Sequence, residues 1–448
     1  MIKLKPALQS SEGRSTKWGG ARLVNCYAEK ADGDKIDDFA VMPLPGLTEW
    51  ADLGAGPFRG AIVLDGSLYA VSGSQLYYIT SGAGKVDLGP ITGTARVRMA
   101  ANYTELCIAA EGNGYVYSAN TLTTPLPFAV NDVMYADGYM LWTVEDSEQF
   151  FISALDDALT YDAADIASVE GAPDNIVGAI NDHREIQFFG ATSTEIFYNS
   201  GASDFPFDRQ GNAFIERGCF DRDSIVKIDN SVTFVGDDRI IYTLNGYQPR
   251  RISTHAIEVF LADATYARAY SHTHEGHKFY VLETDQGTRA FDFATGAWHE
   301  RTSWESAWHK VAFVIECYGL TLYFDRVNGQ IYTASNDVHT EDGNPIAMDI
   351  YLPTIEASRE RMTMASFEVL CETGVGNDSV ADPQAMLTYS DDGGYSWSNE
   401  MWRSLGAVGT YRTRAVWRKL GQFRTRQMKL RITDAVRRLV ISYFAEIA

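Results

Sequence analysis

Between about Ala61 and Thr340 the apolar positions come in short runs rich in Tyr, Phe, Val and Ile, cut by Gly, Asp and Asn. The clearest copies are AIVLDGSLYAVSGSQLYYI (61–79), DVMYADGYMLWTV (132–144), REIQFFGATSTEIFYNS (184–200), SVTFVGDDRIIYTL (231–244), KFYVLETDQGTRAFDF (278–293) and TLYFDRVNGQIYTAS (321–335). Such runs predict strands, and dipeptides such as Asp65-Gly66 and Asp137-Gly138 predict the tight hairpins between them. One unit cannot bury two faces alone, but units packed around an axis can. The pattern therefore predicts an all-β fold centred on a six- or seven-bladed β-propeller over 61–343.

The flanks read differently. Residues 1–60 hold too little periodic apolar sequence for a core, which predicts an extended N-terminal arm. Trp18, Tyr27 and Leu47 would anchor it along another domain or a neighbouring subunit. On that reading, deleting residues 1–50 leaves propeller melting nearly intact. Two stretches, 155–171 and 200–215, read as long insertions that hold neighbours. Ile252 to Asp263 reads as a short amphipathic helix with Ile257, Phe260 and Leu261 on one face. After Glu341-Asp342-Gly343-Asn344-Pro345 the texture changes. Alternating runs at 427–432 and 439–444, with charges on one face, predict a β-sandwich-like assembly domain over 344–448.

Charge sharpens this division. The chain of 448 residues is 45% hydrophobic, enough for more than one core, and carries a net charge of −21. Residues 401–448 alone are +9, leaving −30 on the rest. Asymmetry of this kind points to an oriented electrostatic partner or to packing of basic against acidic surfaces within the chain. Arg412, Arg414, Arg418, Arg424 and Arg426, interleaved with Tyr411, Trp417 and Phe423, suit either a phosphate backbone or a protein interface. The interface is the preferred reading. The five cysteines show no disulfide or zinc spacing, which points to a reducing compartment. The N-terminus lacks the apolar core of a signal peptide, and no apolar run is long enough to span a membrane.

Candidate chemistry is sparse. Ser390-Asp391-Asp392-Gly393-Gly394-Tyr395-Ser396-Trp397 fits the Asp-box pattern, with Ser390, Asp392, Gly394 and Trp397 at its defining positions. Its physical reading is a structural hairpin turn, in which Asp392 accepts backbone N–H groups and Trp397 packs beneath. Sialidases repeat such boxes inside their propellers, whereas this one lies outside the repeats. A sialidase-like glycan-active enzyme or carbohydrate-binding propeller is therefore the alternative reading. His272, His274 and His277 straddle a polar turn and are not assigned a metal. Phosphate-binding, dinucleotide and hydrolase motifs are absent from the sequence. No catalytic residue, metal or cofactor is expected.

Three segments together carry a resemblance: Arg22-Leu23-Val24-Asn25-Cys26-Tyr27 with Pro45-Gly46-Leu47, then Gly56-Pro57-Phe58-Arg59-Gly60, then the terminal Asp-box domain. They resemble the packaged-DNA stabilisation proteins of P22-like short-tailed phages, which form the tail nozzle or head-completion hub. The resemblance implies a structural virion protein without a catalytic step. It implies a homohexameric ring beneath the portal and its adapter ring. That ring continues the channel for double-stranded DNA, retains the packaged genome and seats the tail needle and tailspikes. It implies a location in the virion tail after assembly in the host cytoplasm, with no membrane insertion by this chain. Trp18, Arg22, Asn25, Tyr27, Arg412, Arg414, Trp417, Arg418, Arg424 and Arg426 are the candidate interface residues.

Overall fold

In the computed structural model, which describes residues 1–34 and 36–448, the alternating runs form seven four-stranded antiparallel blades. Blades 1 to 6 are contiguous in sequence, at 58–90, 98–123, 130–168, 176–215, 226–251 and 268–301. Blade 7 takes three strands from 311–335 and its outermost strand, Gly46–Asp52, from the N-terminal region. Of the two counts the repeats allowed, seven is the one formed. Six units are visible as continuous sequence, and the seventh is closed by a distant strand.

The turns explain why these sequences form blades. In six of the seven blades the first hairpin turns on two residues that both have positive φ, as at Asp65-Gly66 (47° and 68°) and Asp137-Gly138 (48° and 93°). That geometry matches the right-handed twist of the strands it joins. Each blade then buries both faces against its neighbours. Leu64, Val71 and Leu106 pack between blades 1 and 2, and Phe150, Ile186 and Phe188 between blades 3 and 4. The amphipathic segment forms a helix, His255–Leu261, with Ile257 and Leu261 buried between blades 5 and 6.

Two expectations fail here. Residues 1–60 are not a detachable arm. Ile2–Lys3 and Phe39–Pro43 pair with Val440–Ile447, Arg22–Val24 pairs with Met348–Tyr351, and Gly46–Asp52 completes blade 7. A segment too short for a core supplies strands to two cores instead. The stretch at 200–215 is not simply an insertion, because Phe207–Ile215 is the outer strand of blade 4. Within 155–171, Ile166–Ser168 likewise closes blade 3.

The C-terminal region is a two-sheet sandwich. One sheet holds Cys26–Lys30, Phe39–Pro43, Val440–Ile447, Met362–Cys371 and Ala415–Arg418. The other holds Met348–Tyr351, Thr425–Ile432, Gln384–Ser390 and Met401–Ser404, and Arg22–Val24 joins it to the last strand of blade 6, Ala297–Arg301. One ten-stranded sheet thus runs from propeller to sandwich. Leu23, Ile350, Phe367, Trp417, Met428 and Tyr443 fill the sandwich core.

Candidate assembly surfaces and a closed propeller axis

The inner strands of the propeller converge on an arginine–aspartate network. Arg96, just before blade 2, donates across the axis to the carbonyls of Ala269 (3.0 Å) on blade 6 and Ala312 (2.5 Å) on blade 7. Arg222, before blade 5, donates to Asn131 of blade 3 and to the carbonyl of Arg96 (3.0 Å). Arg98 donates to the carbonyl of Arg222. At the centre, Asp223 lies 3.6 Å from Arg98, 3.6 Å from Arg222 and 3.9 Å from Arg268. Burial alone would raise the Asp223 pKa. Arg98, Arg96, Arg222 and Arg268 outweigh that and hold it below the usual carboxylate range. Side chains therefore close the propeller axis at this end. Sequence reasoning missed this network. Its only trace is charge at the mouths of apolar strands, at Arg96-Val97-Arg98 and Asp221-Arg222-Asp223.

The junction of the two domains is equally charged. Arg22 makes a bidentate pair with Glu300 (2.8 Å and 2.8 Å), reaches Glu12 at 3.0 Å and lies over the Tyr351 ring at 4.9 Å. Burial would lower the Arg22 pKa, but the bonds to Glu300 raise it overall. Asn25 is buried with φ 56°, donates to Thr302 and to the Ala347 carbonyl, and accepts from the Thr302 N–H (2.8 Å). Tyr27 is buried edge-on against His277 and Phe279. These three candidates join the domains within one chain.

The basic C-terminal segment divides in the same way. Trp417 is a core residue whose Nε1 donates to the Met401 carbonyl (2.6 Å). Arg426, 1% exposed, makes a bidentate pair with Asp391 (2.7 Å and 2.7 Å) and lies over the rings of Tyr389 and Phe423. Arg431 and Lys429 share Asp349, and Arg437 pairs with Glu372. Much of the local positive charge is thus neutralised within the sandwich itself. Arg412, Arg414, Arg418 and Arg424 are exposed. Of these, Arg414 holds Glu368 (2.7 Å) and Arg424 the Arg359 carbonyl (2.6 Å). Exposed Trp402 and Tyr411 extend this surface.

Ser390–Trp397 folds into a hydrogen-bonded turn. Asp392 accepts from Ser390 (2.7 Å) and from the Ser396 N–H (3.0 Å), and Ser390 accepts from the Gly394 N–H (2.8 Å). The Ser396 hydroxyl and backbone, followed by Ser390, hold the Asp392 pKa well below its ordinary value. Trp397 donates to the Gly394 carbonyl and packs on Tyr351 at 5.5 Å. Thr16 bonds the Gly393 carbonyl, which ties the N-terminal segment to this turn. Trp18 and Tyr395, 84% and 85% exposed, flank that contact. The three histidines make separate contacts. His277 is held by Asp292 and Glu29, His274 by Asn336, and His272 faces Arg301. Among the described residues no group of His, Cys, Asp and Glu is arranged to hold a metal.

Comparison with known proteins decides the family. Residues 10–338 match the model of the bacteriophage P22 Gp10 β-propeller, and residues 347–448 match that of the P22 Gp10 β-sandwich. The chain belongs to the P22 Gp10 family. It is accordingly a structural protein of the phage virion tail, with a DNA-channel and tail-stabilising role. The glycan-active alternative is set aside, since this family is structural. No curated protein matches the chain. The solved structures that match are distant. An extracellular domain of a putative one-component system from B. thetaiotaomicron is 10% identical with a TM-score of 0.47, covering 80% of this chain and 48% of that one. BamB from Moraxella catarrhalis is 10% identical with a TM-score of 0.40, covering 70% and 97%. The computationally designed Ika8 protein is 12% identical with a TM-score of 0.39, covering 74% and 100%.

Proposed function

We propose that six copies of this chain form the tail nozzle ring below the portal and its adapter ring. The ring continues the DNA channel, retains the packaged genome, and seats the tail needle and tailspikes. The observation that carries this reading is the closed propeller axis. With Arg96, Arg98, Arg222 and Asp223 across it, a duplex has to pass beside the propellers, in a channel enclosed by several copies. A net charge of −21 lets phosphate slide along such a wall without adhering. The sheet shared by propeller and sandwich makes each copy one stiff body, suited to a part that holds pressurised DNA.

Exposed Trp18, Arg412, Arg414, Arg418 and Arg424 are the docking groups toward the adapter or a neighbouring copy. Assembly takes place in the host cytoplasm, before the tail is complete. Electron micrographs of the protein mixed with a candidate adapter test the ring directly: sixfold rings with a central channel are expected. Charge reversal at Arg412, Arg414 and Arg418 tests the docking surface by sizing and adapter pull-down. Assembly and docking that survive this reversal at wild-type levels would refute the assigned surface.

A further inference from the structure

The seam between blades 6 and 7 holds a small, partly open cavity of about 20 Å³ whose lining includes Tyr27, Leu47, His272, Arg301, His309 and Tyr323. A single water needs roughly 10–15 Å³, so the space suits one small particle and is tight for sulfate or phosphate. Arg301 is 3% exposed. Its Nε donates to His299 Nε2 (3.2 Å), its Nη1 donates to His272 Nε2 (3.3 Å), and the guanidinium stands 4.7 Å from the Phe279 ring centre.

No carboxylate pairs with Arg301 among the described residues. Glu341 faces His309 at 3.3 Å, and Glu29 and Asp292 hold His277 at 2.6 and 2.8 Å. Arg301 Nη2, His272 Nδ1, His309 Nδ1 and the Tyr270 hydroxyl are all buried without a hydrogen-bond partner of good geometry, and that hydroxyl lies beside Arg301. Since His272 Nε2 accepts from Arg301, the neutral ring carries its proton on Nδ1. Burial, then the charge of Arg301, keeps that ring neutral. The cavity is therefore bordered by a free His272 N–H and by a guanidinium whose only further acceptor is the neutral Tyr270 hydroxyl. Water could meet the hydrogen bonds, but it would leave the guanidinium charge uncompensated in a buried site.

We propose that this cavity binds one monatomic halide, chloride under ordinary conditions, held by Arg301 and His272. The ion neutralises Arg301 and fastens the seam that Tyr27 and Leu47 help to line. This is independent of the ring reading, because it concerns a single copy.

Thermal unfolding of the full chain tests it, at constant ionic strength with gluconate replaced stepwise by chloride. The melting temperature is expected to rise by roughly a few degrees and to saturate, as ligand linkage requires. Bromide should reproduce the rise and sulfate should not. Arg301→Met should abolish the chloride-dependent rise. In case that variant does not fold, wild-type crystals grown in bromide provide a second readout at the bromine absorption edge. One anomalous peak beside Arg301 and His272 is expected. A chloride response that does not saturate, an equal response to sulfate, or a bromide crystal without that peak would overturn the proposal in favour of a water-filled cavity.

Discussion

Asp223→Asn is the sharpest perturbation of the closed axis. At 3.6 Å and an effective dielectric of about 20, each arginine contact of Asp223 is worth about 4–5 kcal/mol of attraction. Desolvation offsets most of it in the wild type. Removing the carboxylate charge leaves Arg96, Arg222 and Arg268 without their shared anion, while Arg98 keeps Asp132 at 3.8 Å. Orphaning a buried charge costs about 3–5 kcal/mol. The lower end applies here, because the Arg98 and Arg268 side chains stay 25% and 39% exposed and water screens them. A loss of about 3 kcal/mol lowers the urea midpoint by about 1 M at a slope of ~3 kcal/mol/M. Tryptophan fluorescence reports it, since Trp142 and Trp298 lie buried in the propeller. The double variant with Arg98→Met should recover part of the loss, as a coupled pair requires. The pH dependence has a definite sign. The depressed Asp223 pKa contributes stability above the ordinary carboxylate value of 3.8, lost as pH falls through the native value. Neighbouring Asp221 is raised by burial and then by Asp223 itself, so its share runs the opposite way. A midpoint shift under ~0.2 M would show that the axial network is not coupled as described.

Other outcomes follow from the same contacts. Deleting residues 1–50 should cause a large loss of propeller stability, measured by melting, because it removes most of the strand that closes blade 7. Gly46→Val should give a milder form of that defect, seen as faster proteolysis of the full chain. A Cβ at Gly46 would sit 2.3 Å from the Val338 carbonyl oxygen, a contact that backbone cannot yield. Trp417→Ala should cost about 3–5 kcal/mol by opening the sandwich core, whereas Arg418→Glu should leave melting unchanged and alter only adapter pull-down. His277 is raised above 6.5: burial opposes protonation, but Asp292 and Glu29 outweigh it. Its contribution is full below that value and is lost as pH rises through the native pKa, so His277→Gln should flatten the decline in stability above neutrality.

Much of the propeller was legible along the chain because its determinants are local. A run of apolar residues followed by Asp65-Gly66 specifies a hairpin wherever it lies, and the Asp-box closes through bonds within Ser390–Trp397. What the chain could not disclose are pairings between distant segments. Gly46–Asp52 reads as part of an arm, and only its register against Gln330–Ser335 makes it the last strand of a seventh blade. Arg22, Asn25 and Tyr27 were recognised as important, yet their partners Glu300, Thr302 and Phe279 stand more than 250 positions away. The same limit applies to the basic C-terminal stretch. Composition reveals its charge, whereas Asp349, Glu368 and Asp391 decide how much of that charge remains for a partner. Local pattern sets strands and turns because they depend on neighbours in sequence. Blade closure, the blocked axis and the burial of each arginine depend on neighbours in space, which only the folded chain brings together.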